Sequence, residues 1–166
     1  MSYAVGDTVI YPNHGAAVID ALETRRVDAE DKTYLVLRVL AQNGLLVRIP
    51  TASLGLVGVR EVVDRDGLQR VLDTLRAEPA PDPANWSRRS RQNIEKLRTG
   101  CVIRVAEVVR DLWRRDRSGD LSATEGRMLA QARQILVSEL AECHQTNYDE
   151  ASALLDQALT HSEGLG

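Results

Sequence analysis

The spacing of apolar residues changes once along this chain, near Asp66. Before that point, β-branched and aromatic residues form short runs separated by turn residues, a pattern typical of strands. After it, apolar residues recur at intervals of three and four, as at Leu68, Val71, Leu72 and Leu75. That is the period of an amphipathic helix. A strand-forming half followed by a helix-forming half predicts an α+β protein.

The first half predicts four or five short antiparallel strands. They are expected at residues 8–12, 17–27, 33–39 and 45–50, with a last one near 57–60. Turn-forming sequences separate them: Pro-Asn-His-Gly at 12–15, a polar cluster at 28–31 and Asn-Gly at 43–44. Short strands of this kind are typical of a small curled barrel of the SH3 or Tudor type. We expect that barrel to occupy residues 1–62.

The second half, residues 63–166, predicts an all-α bundle. Its first helix is stopped by three prolines between residues 79 and 83, and an elbow is expected there. Four further helical patterns follow, at 85–98, at 102–117, from the capping box Ser122-x-x-Glu125 to 140, and from 147 to 159. Short connections between helices favour a compact bundle.

Charge is distributed unevenly along the chain. The net charge is −3, yet residues 86–117 hold ten basic and four acidic residues, or +6. Residues 118–166 hold two basic and eight acidic residues, or −6. A basic block between acidic flanks predicts one local positively charged surface, and not a protein that attracts anions over its whole surface.

Nothing in the sequence indicates catalysis. Gly-rich phosphate loops, G-x-S-x-G and H-E-x-x-H motifs are missing, and the histidines and cysteines lack metal-ligand spacing. We therefore expect a binding protein without metal or cofactor, and reduced, buried side chains at Cys101 and Cys143. No apolar run approaches the roughly 18 residues of a membrane span. The N-terminus also lacks a signal-peptide pattern, so we expect a cytoplasmic protein.

Trp86 begins the basic block. Arg88 and Arg89 follow in the first helical turn, where the helix dipole disfavours each cation by a few tenths to about 1 kcal/mol. A phosphate would offset that cost by accepting hydrogen bonds from these arginines and from free first-turn N–H groups. Arg91 would add a third phosphate contact. Three contacts predict that the logarithm of the DNA-binding constant falls with the logarithm of the salt concentration at a slope of about −2.7. The alternative is that the arginines are only solvated and Trp86 packs in the core, because it shares the helical angle of Leu97.

An aromatic side chain beside arginines can stack on a base or wedge at a base step. Stacking contributes about 1–3 kcal/mol, whereas opening an intact duplex step costs a few kcal/mol. A wedge at Trp86 therefore favours a duplex that is already open, at the edge of a melted bubble. Because the net charge is negative, another part of the chain must bring it there, and a barrel edge that accepts a partner's strand suits that role.

Six segments together resemble the CarD/CdnL family of bacterial RNA polymerase-binding transcription regulators, its actinobacterial members above all. The segments are 5–15 (VGDTVIYPNHG), 34–37 (YLVL), 85–89 (NWSRR), 105–115 (VAEVVRDLWRR), 127–130 (RMLA) and 132–137 (ARQILV). Each is short, and the resemblance is carried by their order and spacing. It extends from the N-terminus to about residue 140 and is thin beyond.

The resemblance implies a Tudor-like domain that docks on the RNA polymerase β subunit, with Arg25, Val27 and Arg48 at the interface. It also implies a helical domain at promoter DNA near the −10 region. There the family tryptophan, here Trp86, wedges into the minor groove at the upstream edge of the bubble and stabilises the open complex. Arg88 aligns with a DNA contact of the family.

Some positions depart from the family pattern. Arg91 stands where relatives carry lysine, Ser90 where they carry an aromatic residue, and Gly126 where a lysine lies near DNA. We expect a monomer that is associated with the nucleoid through RNA polymerase. The alternative is a protein-only adaptor on the polymerase whose helical half contacts another protein and no DNA.

Overall fold

A computed structural model describes residues 3–41, 43–78 and 85–163, the side chains of residues 162 and 163 excepted. The predicted proline elbow at 79–83 lies outside these residues. Within them, a five-stranded antiparallel sheet is followed by helices, as the sequence predicts. The α+β fold class is confirmed.

The strands are β1 (Thr8–Tyr11), β2 (Gly15–Val27), β3 (Glu30–Val39), β4 (Leu45–Pro50) and β5 (Arg60–Glu61). Their order across the sheet is β4-β3-β2-β1-β5. Successive side chains alternate between the two faces. One face buries a cluster formed by Val9, Ala17, Ile19, Leu35, Leu37, Val39 and Ile49. The opposite face carries Ile10 and Ala16 near the start of β2, and Glu23 and Arg25 towards the far end of that strand.

The strand predicted near 57–60 is partly wrong. Residues Leu54–Val57 instead form a single helical turn, α1, and β5 starts only at Arg60. Gly58 ends α1 in the left-handed conformation, with φ of 87°, and its N–H donates to the Leu54 carbonyl at 3.0 Å. A short apolar run fits a strand and a helical turn equally well, and here the glycine C-cap favoured the turn.

Five longer helices build the second half: α2 (Arg65–Arg76), α3 (Trp86–Arg98), α4 (Val102–Arg117), α5 (Ala123–Cys143) and α6 (Tyr148–Glu163). The predicted capping box at the start of α5 is present, with both hydrogen bonds between Ser122 and Glu125. These helices share one apolar core that includes Leu75, Leu112 and Leu140. Trp113 packs against this core, partly buried.

Helix α5 also packs across the apolar end of the sheet. The Ala16 N–H donates to the Ser138 hydroxyl at 3.0 Å, and Arg60 forms two bonds of 2.7 Å to the buried Glu139 carboxylate. Gly15 makes this approach possible, because a Cβ atom there would stand 2.4 Å from the Ser138 Oγ. The sheet and the helices are thus joined through α5.

Both cysteines are free, and the expectation that both are buried is wrong for Cys101. It is exposed at the N-cap of α4, whereas Cys143 is partly buried at the end of α5. Burial raises the pKa of the Cys143 thiol, and the nearby Glu139 charge adds to the increase. None of the described helices has the length and apolar character needed to cross a membrane.

Candidate nucleic-acid and partner interfaces

The N-terminus of α3 is capped by its own preceding residue. The Asn85 side-chain oxygen accepts from the backbone N–H groups of Ser87, at 2.9 Å, and Arg88, at 3.3 Å. The Arg89 N–H donates to the Asn85 carbonyl at 3.0 Å. These first-turn donors are therefore already bonded. The expectation that a phosphate accepts from them needs correction, and any phosphate contact here depends on side chains.

Trp86 is the first residue of α3 and is 46% exposed. It lies on the same stripe of the helix as the buried Asn93 and Leu97, two and three turns further on. The helical angle of Trp86 is that of a core residue, but its place in the first turn leaves about half of its surface exposed.

The three predicted arginine contacts separate into two kinds. Arg88 and Arg91 are exposed on the same helix as Trp86. Arg89 is only 7% exposed, and its guanidinium bonds the Glu125 carboxylate at 3.1 and 3.4 Å. The expectation that Arg89 contacts a phosphate is therefore corrected, because its charge already has a buried partner.

Glu125 joins the ends of three helices. Besides Arg89 of α3, its carboxylate faces Arg115 of α4 at 3.5 Å, and it belongs to the capping box of its own helix α5. Burial alone would raise the pKa of Glu125. The hydrogen bond and charge of Arg89, assisted by Ser122, outweigh burial and hold the pKa below its usual value. The carboxylate is thus ionised at neutral pH.

The end of α4 brings further basic residues to the same end of the bundle. Arg115, which faces Glu125, also donates to the Asp120 carbonyl at 3.4 Å. The Arg117 guanidinium lies 5.4 Å from the centre of the Trp113 ring, a cation–π distance. Two residues of the basic block, Arg89 and Arg115, therefore meet at Glu125, where the start of α3 lies against the end of α4.

A second candidate surface lies on the charged face of the sheet. Glu23, Arg25 and Val27 alternate with residues of the other face along β2, so all three lie on one side. Arg25 and Arg48 reach the same oxygen of Glu23, at 3.3 and 3.2 Å. The structure thus brings the three predicted polymerase contacts, Arg25, Val27 and Arg48, to one face. Glu23 was not among the residues predicted from the sequence, although its place two residues before Arg25 on a strand was an available signal.

The described residues contain no group of three or more His, Cys, Asp or Glu side chains arranged to hold a metal ion. Glu125 and Glu139 were also not predicted as partners of arginines. Both lie in the predicted helix α5, but their partners are 36 and 79 residues away along the chain. No local pattern indicates such distant pairs.

Two family descriptions match this chain. Residues 3–63 match the CarD-like/TRCF RID domain, and residues 70–156 match the CarD C-terminal domain. A relative from Bacillus subtilis (strain 168), described as "Putative transcription factor YdeB", is 34% identical over 138 residues. That match covers 83% of this chain and 90% of the relative.

The sheet half is also similar to a solved structure, the solution NMR structure of the 72-residue N-terminal domain of Myxococcus xanthus CarD. The identity is 32%, over 36% of this chain and 79% of that one, with a TM-score of 0.31. The fold described above rests on the strand order and the helices of the structure itself.

Proposed function

The chain belongs to the CarD family of RNA polymerase-interacting, non-enzymatic transcription factors, and from that premise we propose that it stabilises promoter open complexes. In this proposal the sheet docks on the polymerase β subunit, and Trp86 wedges into the minor groove at the upstream edge of the bubble. The observation that carries the proposal is the exposed indole at the first residue of α3, a helix that also exposes Arg88 and Arg91.

Docking is supported by the chemistry of the charged sheet face. Arg25 and Arg48 are exposed, and the oxygen they share belongs to a partly exposed Glu23. Exposed ion pairs of this kind contribute about 0–1 kcal/mol, so exchanging Glu23 for a partner's carboxylate costs little. Lys32 lies opposite Arg25 on β3 and adds a further cation. The face therefore suits an acidic surface on the β subunit.

A neighbouring arginine gives a matched control for docking. Arg25→Glu should weaken binding to polymerase, and Arg26→Glu should not, because Arg26 is also exposed but lies on the opposite face of β2. Both variants change the charge by the same amount. Affinity for polymerase, measured by titration at fixed ionic strength, distinguishes them. Equal losses for the two variants would indicate a general charge effect and no specific docking face.

The wedge is supported by a balance of two free energies. Stacking of an indole on a base contributes about 1–3 kcal/mol, and unstacking an intact duplex step costs a few kcal/mol. On closed duplex these nearly cancel. At the edge of an existing bubble the unstacking cost is already met, so the stacking free energy favours the open state and slows bubble collapse.

The phosphate contribution is smaller than the sequence alone indicates. Two exposed arginines, Arg88 and Arg91, predict a salt slope of about −1.8 in place of −2.7. Binding that weak fits a protein of net charge −3 that reaches DNA only when docked on polymerase. Because the affinity for DNA is weak, the surface that docks on polymerase and the wedge need to occur in one molecule.

The alternative function, a protein-only adaptor, makes a different prediction for DNA. Footprinting of an open complex with and without the protein separates the two. A wedge should protect the minor groove at the upstream edge of the bubble, and Trp86→Ala should remove that protection. An adaptor would leave the footprint of polymerase unchanged in both cases.

A further inference from the structure

We propose that Glu125 is a positioning residue for Trp86, acting through the buried arginine Arg89. This inference rests on the proposed function, since it concerns how the wedge is held in place. Glu125 itself is only 2% exposed and does not reach the surface where DNA would bind. It is therefore assigned no direct contact with DNA.

The geometry links the two residues through one turn of helix. Arg89 lies three residues after Trp86, so the two side chains lie on adjacent parts of the same side of α3. The Arg89 Nε and Nη2 atoms donate to the two oxygens of Glu125, a fork that fixes direction as well as distance. The first turn of α3 is thereby tied to the start of α5.

The carboxylate is itself held in place from two further sides. Arg115 at the end of α4 faces it at 3.5 Å. The Glu125 N–H donates to the Ser122 hydroxyl at 3.1 Å, which fixes the first turn of α5. One buried carboxylate thus sets the relative positions of three helix ends. The half-exposed indole extends from the first residue of one of them.

This arrangement gives the wedge a defined direction before DNA arrives. An indole that must be ordered on binding loses part of its stacking free energy to that ordering, whereas one held in place does not. The arginine was expected to bind phosphate, and its buried pairing instead serves the aromatic residue beside it. Glu125 should therefore affect open-complex lifetime only while Trp86 is present.

A double-mutant cycle tests this dependence. We would measure open-complex lifetime, with polymerase saturated by protein, for wild type, Trp86→Ala, Glu125→Gln and the double variant. If half of the stacking free energy is lost, Glu125→Gln shortens the lifetime by about two- to twelvefold. Trp86→Ala, which removes all of the stacking free energy, should shorten the lifetime by roughly five- to 150-fold. Half of a free energy corresponds to the square root of that factor. In the Trp86→Ala background, Glu125→Gln should have no further effect.

A fluorescence measurement tests the position of the indole directly. With Trp113→Phe, Trp86 is the one tryptophan left in the chain. Glu125→Gln should then make its indole more accessible to acrylamide. Glu139→Gln is the matched control, because it is the same change at an equally buried glutamate of the same helix, and it bonds Arg60 instead. It should lower stability without changing the quenching of Trp86.

The outcomes separate the inference from the proposed function. An equal loss from Glu125→Gln with and without Trp86 would overturn the positioning role, and so would no loss at all while Trp86→Ala shortens the lifetime. Equal quenching changes for Glu125→Gln and Glu139→Gln would overturn it too, as a sign of general loosening. If Trp86→Ala itself leaves the lifetime unchanged, the proposed function fails and the inference fails with it.

Discussion

Two neighbouring arginines, Arg88 and Arg89, should respond to substitution in opposite ways. Arg88 is exposed at the start of α3, whereas Arg89 is buried against Glu125. Arg88→Ala should weaken the contact with DNA and leave stability within about 0.5 kcal/mol of wild type, as for most surface substitutions. Arg89→Ala should instead lower stability and leave the salt slope of DNA binding unchanged. It leaves the buried Glu125 carboxylate without its closest cation.

The expected magnitudes follow from the contacts. Removing one partner of a buried ion pair costs about 3–5 kcal/mol, and Arg115 at 3.5 Å from Glu125 places Arg89→Ala at the lower end of that range. Arg88→Ala should change the salt slope by about 0.9, from about −1.8 to about −0.9. Between 50 and 200 mM salt, the advantage of wild type over Arg88→Ala should then shrink by about 3.5-fold.

Urea unfolding measures the first quantity, and open-complex stability across a salt series measures the second. Because polymerase has its own salt dependence, the slope is compared between wild type and variant in the same complex. The reasoning would be refuted if Arg89→Ala changed the slope as much as Arg88→Ala and cost less than about 1 kcal/mol of stability. Arg89 would then be a phosphate contact after all.

Two further predictions concern the fold and its response to acid. Gly15→Ala should cost about 2–5 kcal/mol in urea unfolding, because it adds a left-handed strain and an overpacked contact with α5. Gly44→Ala, also left-handed but with open space around it, should cost only about 1–2 kcal/mol, and equal costs would contradict the packing described. Because the pKa of Glu125 is lowered on folding, its ion pair stabilises the protein at neutral pH and is lost as pH falls below about 4.3. The difference in unfolding free energy between wild type and Glu125→Gln should therefore shrink on acidification, and a constant difference down to about pH 3 would show that folding does not lower the pKa of Glu125.

Most of the fold could be predicted because its signals are local. The Asn-Gly turn, the capping box and the change of apolar period each lie within a few residues of the element that they define. The wrong strand near Val57 arose where a short apolar run fits two structures. In the structure a left-handed Gly58 ends a helical turn there, and that backbone conformation is what distinguishes the turn from a strand.

The candidate site was harder to predict because its decisive contact is not local. Two arginines in the first turn of α3 oppose the helix dipole, and the sequence offered a phosphate as the compensation. For Arg89 the compensation is Glu125, which is 36 residues away and reaches it only after α3 and α5 have packed. Trp86 was ambiguous for a related reason. Its angle around α3 indicates the side of the helix on which it lies, but not how far along that side the core extends.

The central claim concerns the exposed indole, and the lifetime of a preformed open complex tests it most directly. With polymerase saturated by protein, Trp86→Ala should shorten that lifetime by about five- to 150-fold while polymerase affinity is retained. Ile94→Ala is the control, because it truncates an equally exposed apolar side chain on the same helix and should leave the lifetime unchanged. A Trp86→Ala complex as long-lived as wild type would contradict the account. A loss of about 3–5 kcal/mol in the stability of that variant would contradict it as well, since that is the cost of removing a core tryptophan.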